Sequence, residues 1–183
     1  MRNYEHGTHR KIGEEGRLTK VSGALLVRRY AVRQPELYRV VEEVSAKRLT
    51  TLDKASLCEL AQTVTDLEEN GVEGVFIEIS TTPGAGIVIT EAKRRSRPMI
   101  QVQPDASREL AVEGAVALAH VCGAGYEATR SILESVTPKI GPGGRMILSD
   151  HKKDECRKAV DEYFRGKKGF QLVRKCRLHI IRT

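Results

Sequence analysis

Strand-like and helix-like stretches take turns along this chain, an order that leaves few architectures open. VEGVFIEI (72–79), a run at Met99–Gln103, a run at Ala115–Val121 and a run at Arg145–Ser149 are short and rich in branched apolar residues. Runs of that kind suit a parallel sheet buried on both faces. Between them the spacing turns helical. Leu37, Val40, Val41 and Val44 form one stripe after Pro35, and Leu57, Leu60, Val64 and Leu67 form another after the N-cap candidate Asp53, with Asn70-Gly71 as its stop. IVITEAKRR follows the turn STTPGAG, and a helix is expected from about Glu127 to Ile140, ended by the turn GPGG at Gly141–Gly144. Cys156, Ala159, Val160, Tyr163 and Phe164 mark an amphipathic helix, and FQLVRK and RLHIIRT read as two adjacent closing strands. The pattern predicts an α/β fold with a doubly wound parallel sheet and an antiparallel pair at its C-terminal edge. Residues 1–19 are polar and aperiodic and are expected to form a flexible arm.

A chain of 183 residues is of single-domain size. Aromatics make up 4% and Trp is absent, so Val, Ile, Leu and Ala must build the core. No run reaches the roughly 18 apolar residues of a membrane span, and the first residues lack the apolar stretch of a secretory signal, which together predict a cytosolic protein with no membrane partner. Cys58, Cys122, Cys156 and Cys176 form no CxxC pair and are read as reduced thiols. The formal charge of +7 is spread over the chain without interleaved aromatics for base stacking, which argues against a nucleic-acid partner.

In an open parallel sheet, ligands bind beyond the carboxyl ends of the strands, so three turns should converge on one rim: Glu78 to Gly86, His120 to Tyr126 and Ser149 to Lys152. In the first, Gly84 and Gly86 would let backbone approach a cofactor, and Ser80, Thr81 and Thr82 offer hydroxyls and amides near a helix N-terminus. A plain strand-to-helix turn explains the same residues. In the second, His120 is a candidate general base and Cys122 a candidate nucleophile, although a hydrogen-bonded structural histidine and a small buried thiol are the blander readings. The third supplies Asp150 and His151. One carboxylate with two imidazoles is a thin site for magnesium, which prefers several oxygen ligands, and no metal is expected.

Several stretches together carry a resemblance: KRLTTLDKASLCELAQTVTDLEENGVEGVFIEI, VEGAVALAHV, YEATRSILESVTPKIGPGGRMILSD, CRKAVDEYF and the final RLHIIR. They resemble the macrocin O-methyltransferase (TylF-type) family from about Lys47 to Arg182. The resemblance implies a Rossmann-like class I methyltransferase sheet over residues 47–183, with 1–46 as an N-terminal arm and helical extension. It also implies S-adenosylmethionine as cofactor and, in the family, magnesium-assisted methylation of sugar hydroxyls in natural products. Position by position the resemblance puts Glu78, Ser80, Gly84 and Gln103 at the donor site, where the turn reading adds Thr81 and Thr82, and His120, Tyr126, Asp150 and His151 at the catalytic rim.

The departures fall at those same positions. Ile79 and Ser80 stand where the family has Ala-Gly, Ala85 replaces one glycine of a pair, and Gln103 replaces the acid near the donor ribose. Cys122 and Ala124 stand where the family's fourth strand ends in two acids, and only Asp150 remains of the pair after the fifth. The family's long segment after the second strand shrinks to Pro104–Gly114, so one edge strand and two helices should be missing. A shortened sheet is expected to be covered by another copy or a partner protein. Scaffold kept and site changed implies a degenerate, non-catalytic or repurposed relative that binds a ligand or protein in a natural-product context. The alternatives are an active, metal-independent O-methyltransferase, or a rim rebuilt for other chemistry around Cys122 with His120 or His151 as its base.

Overall fold

The computed structural model describes residues 12–105 and 110–183, with side chains from Gly23 onward. The elements are α1 (Ile12–Arg33), α2 (Pro35–Ala46), α3 (Lys54–Glu69), β1 (Val75–Ile79), α4 (Gly84–Ala92), β2 (Met99–Val102), β3 (Val116–Val121), α5 (Tyr126–Val136), a short 3-10 turn (Thr137–Lys139), β4 (Ile140–Leu148), α6 (Asp154–Phe164), β5 (Phe170–Arg174) and β6 (Leu178–Arg182). They build one six-stranded sheet in the order β2-β1-β3-β4-β6-β5. The first four strands are parallel, whereas β6 enters antiparallel to β4 and β5. The α/β class and the antiparallel closing pair are as expected.

Alternation along the strands divides the core into two layers. Phe76, Leu118 and Ile147 face Leu57, Leu60, Val64, Leu67, Val88 and Ile89 of α3 and α4, where Tyr30, Val41 and Val44 of α1 and α2 join them. Ile77, Ala119, Met146 and Ile180 face Ile132, Leu133, Val136 and Val160 of α5 and α6. β3 is buried at all six positions, as a central parallel strand should be. The expected cap of α3 is present, since Asp53 Oδ1 accepts from the Ser56 amide at 2.8 Å. Its end also falls where expected, with Gly71 at φ +64 just past the last turn.

Two local expectations need correction. Residues 12–19 belong to α1 rather than to a flexible arm, while residues 1–11 of that arm lie outside the described residues. The GPGG tetrapeptide is part of β4, not a turn ahead of it. Val116 pairs with Ile140 and Leu118 already with Arg145, so the glycine segment is a bulge whose extra residues β4 absorbs. Gly143 supplies a φ of +75 there, and a side chain at Gly144 would stand 2.9 Å from the Val116 carbonyl oxygen.

Beyond β2 the sheet has no further strand among the described residues. The connection from β2 to β3 sends Val112 into the second core layer, where Lys139 Nζ donates to its carbonyl. None of the helices among the described residues is long and apolar enough to cross a membrane.

Candidate functional site

The carboxyl ends of the parallel strands bring three polar side chains into line. The register pairs Glu78 of β1 with His120 of β3, and Ser149 follows Leu148 at the end of β4. All three point to the α3/α4 side of the sheet. His120 Nδ1 lies 2.6 Å from Glu78 Oε2, and His120 Nε2 lies 2.8 Å from Ser149 Oγ. With the carboxylate accepting, Nδ1 donates and Nε2 is left to accept from the serine hydroxyl. Glu78, His120 and Ser149 are each at most 5% exposed, so this acid–imidazole–hydroxyl chain is sealed within the rim. Both nitrogens of His120 are therefore engaged, and neither is left to act on Cys122.

Cys122 itself is buried, with the Thr51 hydroxyl 4.0 Å from its sulfur. Burial, reinforced by the Asp150 carboxylate, pushes the thiol above its ordinary range, opposite to what an activated nucleophile needs.

Glu78 also lines a cleft of about 280 Å³ with Ser80, Thr81, Thr82, Gln101 and Gln103. Its Oε1 is buried and has no hydrogen-bond partner among the described residues. The loop after β1 is partly spent on itself, because Ser80 Oγ donates to the Thr82 carbonyl at 2.6 Å and the Ser80 amide extends the pairing with β2 through Val102. Thr81 packs against Gly123, whose φ is +84, and so joins the first and second rim turns. A larger cleft of about 490 Å³ adjoins on the other side of Val102 and Gln103, lined by Ile79, Pro104, Leu110 and Ile132 among others.

Gly84 has a different surrounding. Its amide donates to the Leu49 carbonyl at 3.0 Å, and a Cβ there would lie 2.8 Å from both that oxygen and Val44 Cγ1. The close approach this glycine permits is made by the α2–α3 connection of the chain itself. At Gly86 the corresponding space is filled by the Gln101 side chain.

The remaining candidates disperse. Asp150 accepts from the Gly123 amide at 2.5 Å and from Lys153 Nζ at 2.8 Å. Burial works to raise its pKa, but Lys153 and the Gly123 amide outweigh it and hold the carboxyl below its ordinary range. Tyr126 donates to Glu162 on α6 and lies under the Lys158 ammonium, which directs it to the α5–α6 surface. His151 lines a separate cleft between α6 and β5, with Arg157, Val160, Leu172, Arg174 and Leu178. Burial lowers its pKa, and Arg174, Lys152 and Arg177 add to that. Among the described residues no three His, Cys, Asp or Glu side chains are grouped as a metal ion would require.

Sequence reasoning also passed over two buried carboxylates. Glu59 of α3 accepts from the Cys176 and Arg177 amides at 3.1 Å each and stands 3.3 Å from His179 Nε2. Glu68 takes a two-point grip from Arg97, 2.8 Å on each oxygen, at the amino ends of the strands. An acid within a helix that is buried on most sides was the available signal for both.

A putative O-methyltransferase from Klebsiella pneumoniae superposes with a TM-score of 0.61 at 14% identity, covering 91% of this chain and 98% of that one. The O-methyltransferase NovP gives 0.58 at 18% identity over 74% of this chain and 81% of its own. The chain has the fold of a class I O-methyltransferase. A TDP-rhamnose 3'-O-methyltransferase of calicheamicin biosynthesis shares this methyltransferase fold with a TM-score of 0.53 at 13% identity, over 99% of both chains. In sequence, 56 residues are 41% identical to an 8-demethyl-8-(2,3-dimethoxy-alpha-L-rhamnosyl)-tetracenomycin-C 4'-O-methyltransferase from Streptomyces olivaceus, 31% of this chain. The match spans about a fifth of that relative's length, 21%. No family model matches the chain.

Proposed function

We propose that this protein keeps the methyltransferase scaffold but does not transfer methyl groups, and that it acts in natural-product biosynthesis by binding a small polar ligand at the β1–β2 rim. The observation that carries this reading is the closure of Gly84: the amide and the open side of the glycine, which a bound donor would need, are taken by Leu49 and Val44. Gln103 offers an amide where a ribose-binding acid is implied. One residue still fits a ligand. The unpartnered Oε1 of Glu78, at the wall of the cleft, suits an amine or hydroxyl donor. At about 280 Å³ the cleft is near the lower end of ligand pockets, which run from about 300 Å³ upward.

The natural-product setting is supported by the neighbouring enzymes, whose names place them in rhamnose methylation for tetracenomycin and calicheamicin. A second reading, metal-independent methylation with S-adenosylmethionine, draws on the adjoining larger cleft, since the two share Val102 and Gln103 and together exceed the volume of either. Calorimetric titration with S-adenosylmethionine separates the readings. The expected result is no heat up to about 1 mM donor, an affinity too weak to sustain turnover. Micromolar binding that is lost in Glu78→Gln would overturn the non-catalytic reading in favour of the second.

A further inference from the structure

The positive charge of this chain is not evenly used. Residues 150–183 hold eleven Lys and Arg against five Asp and Glu, an excess of six within a total formal charge of +7. They fold into α6, β5, β6 and their turns, which form one end of the sheet. Arg157 is paired with Asp154 at 2.6 Å and Lys153 with Asp150 at 2.8 Å. Lys152, Lys168, Arg174 and Lys175 have no carboxylate partner among the described residues, and all four are exposed.

The same end of the sheet has an open edge. β5 is the terminal strand and, among the described residues, pairs only with β6. The Lys175 amide donates to Arg177 and the Thr183 amide to Gly169, so the inward bonds fall on alternate residues of the hairpin. By that alternation Phe170, Leu172 and Arg174 turn their N–H and C=O groups outward. Leu172 and Arg174 line the cleft of about 150 Å³ against α6 together with Val160 and Leu178, and its charged lining is two arginines, Arg157 and Arg174, against one carboxylate, Asp161. Leu172 is 42% exposed, one of the few large apolar side chains left open.

We propose that β5 is a docking edge for an extended acidic segment of another protein, which adds beside it as a further strand. Its backbone pairs with Phe170, Leu172 and Arg174, one apolar side chain enters the cleft beside Leu172, and the carboxylates two residues to either side of it, on the same face, meet Arg174 and Arg157. The charge selects among occupants. A second copy offering its own β5 would bring like charges together and is repelled. Nucleic acid would meet the cations but has no strand to offer the edge. The aromatic rings of this region are not free for bases either: Lys167 and Arg182 lie over Tyr163 and Phe170, and Phe164 packs edge-on between those two rings.

The test uses the full chain and a fluorescein-labelled seven-residue peptide with a central leucine, glutamate two residues to either side of it and threonine at the other positions, read by anisotropy. A lysine-for-glutamate version, heptaglutamate and a short DNA duplex serve as comparisons. The acidic peptide should bind at least about tenfold more tightly than each of the three. Arg174→Glu should weaken it several-fold at low salt and less at high salt. Leu172→Pro, which removes an outward N–H that the sheet does not use, should weaken it about tenfold with the thermal midpoint retained. Because that proline could disturb the hairpin, hydrogen exchange on the unaltered chain provides a second readout, in which saturating peptide slows the Leu172 and Arg174 amides. Absent binding of the acidic peptide, equal binding of heptaglutamate or the duplex, or unchanged exchange at those amides would overturn the proposal.

Discussion

Removing the imidazole at the centre of the Glu78–His120–Ser149 chain should cost far more than removing the serine's share of it. His120 is 1% exposed, and its two contacts of 2.6 and 2.8 Å reach a carboxylate and a hydroxyl that are both buried. In His120→Ala the Glu78 carboxylate loses its one hydrogen-bond partner among the described residues, where Oε1 already has none. Breaking a buried pair from one side costs about 3–5 kcal/mol. Ser149→Ala removes a single neutral hydrogen bond and leaves Nε2 unpartnered, for about 1–2 kcal/mol. In the double variant the serine has nothing left to lose, so the loss should stay near that of His120→Ala alone. The coupling is then about 1–2 kcal/mol. Urea unfolding followed by circular dichroism, with unchanged slope, measures all three. A His120→Ala loss below about 1 kcal/mol, or strict additivity with Ser149→Ala, would refute the reasoning that these groups form one sealed network.

Gly84→Ala should destabilise by about 1–3 kcal/mol, because its methyl must displace the Leu49 carbonyl and Val44. A neutral or stabilising result in thermal melts would show that the space is open after all, and would remove the ground for the non-catalytic reading. His151 should make the fold acid-sensitive. Its pKa is lowered in the folded state, so the unfolded chain takes up the proton first, and stability falls as pH drops below about 6.5, the unfolded value. His151→Gln should flatten the dependence of stability on pH below 6.5 by up to about 1.4 kcal/mol per pH unit, and an unchanged slope would sink that assignment.

Much of the sheet was legible because its strands are short, branched and bounded by turns, and because Asp53 and Asn70-Gly71 mark the limits of one helix. α1 was not. Its first residues are polar and lack the stripe that betrays a packed helix, and helix propensity alone is a weak signal. GPGG reads as a turn in any local view. Only the pairing of β3 with both Ile140 and Arg145 reveals that β4 takes it up as a bulge. At the rim, Glu78 and His120 were visible as polar residues within apolar runs, yet their contact depends on strand order and register, which are long-range facts. Gly84 shows the converse. Its small size was legible, but what uses the room, a connection some 35 residues earlier in the chain, was not.

β6 lies between β4 and β5 in space although it follows both in sequence. A chain that has emerged only as far as β5 therefore has no strand for β5 to pair with, and Glu59 still lacks the amides of Cys176 and Arg177, 117 and 118 positions further on. Assembly of this protein cannot proceed strictly in the order of synthesis. The β5–β6 hairpin has to dock on β4 as one unit, and until it does the hydrophobic interior stands open along that edge.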